Sequence, residues 1–294
     1  MRKHLLFIIP ALLLSSASLP AEDRPVLRIG GSDLLGAAFQ EALEEFAREY
    51  DVDVRIELRG TYAARTALED GRLDLALMAA PGETNGGPEG FDAHVFAYQT
   101  AVLAINSSNP LNELNLSQAA GIYGAEELNS FTRWGDFGLS GDLRPRSIGL
   151  HSIDAGSSIA VDLFRHEVLR TPRLRGTVTF HRTPAEAIAA VEDSVAAIAL
   201  LPQSPPPERP LRVLALSREE GGIAFGPSRE NVHSGDYPIR LPVYLVFSPE
   251  SRESLRDLLL FLTRERVAEA IEAAGLLPLP SSARNRQRLE FERF

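Results

Sequence analysis

Short apolar strands alternate with amphipathic helices in this chain, and the pattern occurs twice. Val26 to Gly30 is a brief apolar run closed by glycine, which reads as a strand. Leu35, Ala38, Phe39, Ala42, Leu43, Phe46, Ala47 and Tyr50 then recur at three- and four-residue spacing, with Glu and Arg on the opposite face. That is one helical stripe. From Val52 to Leu58 the period changes to two: Val52, Val54, Ile56 and Leu58 point one way, Asp53, Arg55 and Glu57 the other. A helix from about Thr61 to Asp70 stops at Gly71, and Leu73 to Met78 is apolar enough to be buried on both faces. The order strand, helix, strand, helix, strand requires parallel neighbours joined by covering helices.

The pattern returns further along. Arg146 to Leu150 is expected as a strand, Ser157 to Leu169 as a helix, and Val178 to His181 as a strand. Thr183, Pro184 and Glu186 carry the cap, first-turn proline and third-position acid that open a helix, and Val195 to Leu201 closes the unit. Tyr98 to Ile105 is expected to be one strand linking the units. Short helices are expected around Ile122, Tyr123, Leu128 and Trp134, and loops over 82–90 and 202–210. Beyond a strand at Leu211 to Leu216, residues 217–242 read as irregular. Val243 to Phe247 is a strand, a helical pair ends at Gly275, and the polar tail is expected to fray. The fold class is α/β in two lobes, each a mostly parallel sheet with flanking helices. The expected division is 24–103 plus 236–294 for one lobe and 104–235 for the other, with a ligand held between them.

Composition narrows the function. The 294 residues are 44% hydrophobic and 24% charged, with a net charge of −10 and no basic run, which disfavours a nucleic-acid partner. There is no cysteine, hence no disulfide, thiolate metal site, Cys nucleophile or lipid-anchored N-terminal cysteine. Arg2 and Lys3 precede an apolar stretch from Leu5 to Leu14, too short to span a bilayer, and then small residues to Ala21. Residues 1–21 are therefore expected to be a secretory signal cleaved after Ala17 or Ala21, with a periplasmic product that is not a lipoprotein.

Catalytic patterns such as G-x-S-x-G, H-E-x-x-H and the P-loop are absent from the sequence. His151, Asp154 and Ser157 are too close together for a triad, whose members converge from separate elements. His166 and His181 have no second ligand pattern beside them, so no metal is expected. A stronger signal is the strand-to-helix turn built from small residues. Gly31-Ser32-Asp33 precedes the first helix, Gly60-Thr61 the second, and Gly156-Ser157-Ser158 the corresponding helix of the second unit. Each helix start offers unpaired N–H groups, and Ser and Thr add hydroxyls without bulk. Ordinary capping accounts for any one such turn. Three sharing a cleft would suit a small oxyanion.

In these segments the chain resembles the periplasmic phosphate-binding proteins of ABC transporters, which have the type II periplasmic binding-protein fold. Gly31-Ser32 stands at that family's first turn and Gly60-Thr61 at its second. Leu68, Gly71, Asp74, Leu75 and Ala76 follow at its spacing. Ala101 to Asn106 is similar to its crossover strand. Ile122, Tyr123 and Gly124, with Trp134 to Gly138, are similar to its central segment. Gly156-Ser157-Ser158 resembles its S-G-T turn, and Tyr237-Pro238 through Tyr244 its return segment. The resemblance implies Ser32, Asp33, Thr61, His151, Gly156, Ser157 and Ser158 as ligand contacts. It also implies phosphate or a similar small anion as ligand, an ABC permease as partner, a monomer, no cofactor and no catalysis. A binding-protein-like module that has lost transport and serves as a sensor or envelope interaction protein is the alternative.

Four places depart from the family pattern. Ala79 and Ala80 stand where Ser with Asp or Arg is frequent, and Tyr62 where a small residue is usual. Asp33 and Leu34 replace small hydroxyl residues. His151 replaces an Arg, exchanging a fixed charge for a titratable one. On this reading His151 is the switchable cation of the site, and binding is tighter at pH 6 than at pH 8.

Overall fold

The computed structural model describes residues 26–81, 86–154, 156 and 158–294. The expected signal sequence, part of the 82–90 loop, and Ser157 lie outside the described residues.

Val26–Gly31 (β1) leads through a short 3-10 turn into Gly36–Tyr50 (α1). Phe39, Ala42, Leu43 and Phe46 on α1 are buried, and the helix ends where Asp51 takes a left-handed conformation, φ 52°. Asp53–Glu57 (β2), Thr61–Glu69 (α2) and Leu75–Ala79 (β3) complete the first unit. Both β2 and β3 run parallel to β1. Asp92–Thr100 (β4) closes this part of the chain. Val102–Asn106 (β5) opens the next, followed by Glu113–Asn115 (β6) and Leu116–Tyr123 (α3).

The second unit is Gly149–Ile153 (β7), Ala160–Val168 (α4), Thr179–His181 (β8), Pro184–Glu192 (α5) and Ala197–Leu201 (β9). Thr183 caps α5 by accepting from Glu186 N–H at 3.3 Å, with Pro184 at the first position. Leu211–Val213 (β10), Ala215–Ser217 (β11) and Arg229–Ser234 (α6) precede the return strand Arg240–Phe247 (β12). Arg252–Leu262 (α7), Glu265–Ala273 (α8), Leu277–Pro278 (β13) and Ser281–Phe291 (α9) finish the chain.

Among the described residues the strands form one sheet of order β13-β4-β12-β3-β1-β2 and another of order β10-β5-β9-β7-β8, with β11 and β6 pairing apart. The cores β3-β1-β2 and β9-β7-β8 share one order and are parallel throughout. The strands beside them run antiparallel: β12 against β3 and β4, and β5 against β9 and β10. Each sheet is therefore mixed rather than mostly parallel. The added strands come from the crossing segments, which enter from the opposite direction and need no covering helix of their own.

The expected single strand at Tyr98 to Ile105 is divided between the two sheets. β4 pairs with β12 up to Thr100, opposite Arg240, and β5 pairs with β9 from Val102, opposite Leu201. Ala101 is the crossing point, and the buried Tyr237 hydroxyl donates to its carbonyl at 2.9 Å, tying the outgoing segment to the returning one. Leu211 to Leu216 is likewise divided, because β10 pairs with β5 while β11 pairs with β6. The segment expected to be irregular holds α6 and the start of β12. The polar tail does not fray: Phe291 is fully buried and packs with the α1 and α7 residues of the first lobe. Arg284 is also buried there, donating to Leu279 O at 3.0 Å and pairing with Glu265. Buried anchors hold this helix despite its polar composition. Among the described residues no helix is long and apolar enough to cross a membrane.

Candidate ligand site between the lobes

The backbone ties the ends of β1, β3 and the start of α2 together. Gly60 N–H donates to Gly31 O at 2.8 Å, and Ser32 N–H to Leu77 O at 2.8 Å. The Thr61 hydroxyl accepts from Ala79 N–H at 2.9 Å. Ala80 N–H reaches Pro242 O at 3.2 Å, bringing in β12. Gly31 is required at its position: a Cβ there would lie 2.4 Å from Leu77 O, and φ is 156°. Gly60, at φ 99°, lets the chain turn directly into α2.

These ends form one wall of a cavity of about 380 Å³, near the lower limit for small-molecule sites. Ser32, Asp33, Leu34, Gly60, Thr61, Ala79, Pro81 and Leu241 line it from the first lobe. Ile159, Asp162, Leu163 and His166 line it from the second. Ser32 is buried, and its Oγ accepts from Leu34 N–H at 3.4 Å. Because both hydroxyl oxygens already accept from backbone N–H groups, their orientation is set and each O–H hydrogen can be turned toward a ligand. Asp33 stands exposed at the rim.

Thus the structure brings Ser32, Asp33 and Thr61 together. Gly156 is exposed and Ser158 half-buried, its Oγ accepting from Ala160 N–H at 3.2 Å; neither lines the cavity. Ser157 lies outside the described residues. Tyr62 projects into solvent, 84% exposed, and does not fill the space its bulk would suggest. Ala79 lines the cavity and supplies no side-chain donor there.

His151 is elsewhere. It sits in the middle of β7, half-buried, with Nδ1 3.0 Å from Nε2 of His181 on β8. The Tyr123 hydroxyl donates to its carbonyl at 3.0 Å. Burial first, and the His181 ring second, push the His151 imidazole below its ordinary value. The expected cation is therefore held toward its neutral form, and its ring partner is another imidazole. Register explains the pair: β7 and β8 run parallel with Ile153 opposite His181, so positions 151 and 181 share a face. Among the described residues no group of three or more His, Cys, Asp or Glu could hold a metal ion.

The second wall was missed in the sequence. Ile159, Asp162, Leu163 and His166 follow the i, i+3, i+4, i+7 rule, so one face of α4 is turned to the cavity. Two of the four are polar, which reads as a solvent face until the other lobe is known. Asp162 pairs with Arg165 at 3.0 Å. A larger cavity of about 610 Å³ opens within the second lobe beside Arg175. Its guanidinium donates to the carbonyls of Gly124, Phe131 and Gly121 and to Ser130 Oγ. These bonds cross-brace one lobe, whereas the junction cavity is lined by elements of both.

Two lobes of repeated topology, two crossing segments and a cavity at the strand ends are the architecture of the two-lobe periplasmic binding-protein fold. The profile of the PBP superfamily domain matches residues 18–266, and the chain belongs to that superfamily. It is similar in structure to PstS from Borrelia burgdorferi, with a TM-score of 0.70, 17% identity, and 87% of this chain and 99% of that one covered. It is also similar to an ABC-type phosphate transport receptor from Vibrio cholerae, with a TM-score of 0.62, 16% identity, and 86% and 100% covered. Protein SphX from Synechococcus elongatus is 22% identical over 292 residues, 94% of this chain and 85% of that protein.

Proposed function

We propose that this is a solute-binding protein of the periplasm that captures phosphate or a similar small oxyanion and delivers it to an ABC permease. The observation that carries the reading is the pair of oriented hydroxyls, Ser32 and Thr61, meeting in the cavity between the lobes. The similarity to the Vibrio cholerae phosphate transport receptor supports the choice of ligand. Ser32, Asp33 and Thr61 are the first-lobe contacts, with Gly156 and Ser158 as the second-lobe candidates. Asp33 can accept a hydrogen bond from a protonated phosphate. His151, paired with His181, is not carried into the proposed contact set. We take the lobes to change over at Ala101 and again just before Arg240, where strand pairing passes from one sheet to the other, and residues 1–21 to direct export.

The protein acts by binding and not by catalysis. Contacts that both lobes make only when closed would shift the population toward the closed form, the state offered to the permease. Native mass spectrometry of the purified protein tests the reading. A retained small anion whose mass matches phosphate is expected. A ligand-free spectrum that stays unchanged after phosphate is added counts against it.

A further inference from the structure

The second-lobe wall has a single described residue able to carry positive charge, His166. It projects from the face of α4 that also presents Ile159, Asp162 and Leu163, across the cavity from Ser32 and Thr61. Its side chain is 65% exposed, and Nε2 lies 3.9 Å from Glu167 Oε1, beyond hydrogen-bond length. The ring is thus not committed to that neighbour. We infer that His166 is the second-lobe cation of the site, and that its protonation tightens the hold on an oxyanion gripped by the hydroxyls opposite. This rests on the oxyanion reading above and names a contact that reading leaves open.

Other charged groups surround this part of the cavity. On its own helix, Asp162 is engaged by Arg165 at 3.0 Å, and Glu167 stands beside the ring at 3.9 Å. From the first lobe, Asp33 lines the same cavity. Beyond Glu167, Arg218 and Arg240 line a neighbouring cavity of about 370 Å³, and both guanidiniums donate to backbone carbonyls around α6. An anion entering between His166 and the hydroxyls adds a further charge favouring protonation. Histidine is the side chain whose charge changes between pH 5 and 8, so the hold on the anion should change over that range.

The test is titration of inorganic phosphate into ligand-stripped wild type, His166→Gln and His166→Arg, by calorimetry at pH 5.5 and pH 8. Phosphate titrates in this range, so each variant is compared with wild type at the same pH, which cancels the ligand's own change. The side chain is exposed, and thermal melts check that both variants fold. His166→Gln should weaken binding by about fivefold at pH 5.5 and by less than about twofold at pH 8, the scale of a charge-assisted contact discounted for solvent. His166→Arg, with a fixed charge, should bind more tightly than wild type at pH 8. Equal affinity of wild type and His166→Gln at pH 5.5 would overturn the inference while leaving the oxyanion reading intact. Absence of phosphate binding by wild type at both pH values would remove that reading, and the inference with it.

Discussion

Thr61 Oγ1 accepts a 2.9 Å hydrogen bond from the backbone N–H of Ala79, joining the first residue of α2 to the last residue of β3. This bond fixes the hydroxyl at the cavity wall and satisfies an N–H at the end of a sheet strand. Thr61→Val should lose both functions. It should lower stability by about 1–2 kcal/mol, from the unpaired N–H, and weaken phosphate binding by at least about tenfold. Thr61→Ser should keep most of both. Calorimetric titration together with chemical denaturation of the two variants checks the pair.

Gly31 is held by sterics as much as by conformation, since any Cβ would meet Leu77 O at 2.4 Å. That carbonyl is part of the backbone and also accepts from Ser32 N–H, so it cannot simply move aside. Gly31→Ala should destabilise the protein by about 2–4 kcal/mol. Urea unfolding midpoints compare it with Gly60→Ala. At Gly60 no atom lies within 4 Å of the added Cβ and only the positive φ opposes the change, so the loss should be smaller.

Much of the first lobe could be read from the chain because its signals are local. The stripe from Phe39 to Phe46, the alternation from Asp53 to Glu57 and the glycines at 31, 60 and 71 each act within a few residues. The strand-to-helix turns that carry Ser32 and Thr61 were legible for the same reason. The crossing at Ala101 was not, because one apolar run serves two sheets and only its partners, Arg240 on one side and Leu201 on the other, divide it. The α4 wall and the His151–His181 pair depend on which lobe or strand lies opposite, information that residues far apart in sequence supply. In α9 the buried Phe291 and Ala283 are too widely spaced within a polar segment to show a stripe.

Three histidines are pushed toward neutrality by the fold. Burial is the first cause for each, aided by His181 at His151 and by Arg240 and Arg286 at His233. At His94 the burial effect outweighs the opposing influence of Glu290 and Asp92. Below pH about 6.5 the unfolded chain therefore binds more protons at these sites than the folded one. Their contribution to stability is complete above that pH and is lost as pH falls through the depressed folded values. The melting temperature should hold between pH 8 and 7 and decline between about 6.5 and 5. His151→Gln should flatten part of that decline, and the wild-type His151 ring should titrate below its ordinary value by NMR.

The carboxylate of Asp74 responds in a separate window. Burial acts to raise it, but hydrogen bonds from the Arg28 side chain and backbone N–H prevail and leave it below the usual carboxylate range. The contribution of this pair is present above about pH 4 and lost as the pH drops further. Asp74→Asn should cost stability at pH 7 and narrow its difference from wild type near pH 3, read from denaturation midpoints at both pH values.

Phe291 anchors the C-terminal helix in the first-lobe core, beside His94, whose ring centroid lies 5.0 Å away. Phe291→Ala should cost about 3–5 kcal/mol. A fraying tail would give almost no change. Thermal unfolding and hydrogen exchange across Ser281–Phe291 separate the two outcomes.

The central claim is that an oxyanion binds between the lobes against Ser32 and Thr61. Its most direct measurement is calorimetric titration of inorganic phosphate into the folded, ligand-stripped protein, beside a Ser32→Ala/Thr61→Val double variant verified as folded. The account predicts saturable binding at one site per chain in wild type, and loss of at least about a hundredfold in affinity in the double variant, from two missing hydroxyl contacts. Unchanged phosphate affinity in the double variant, or no saturable binding by wild type, would contradict it.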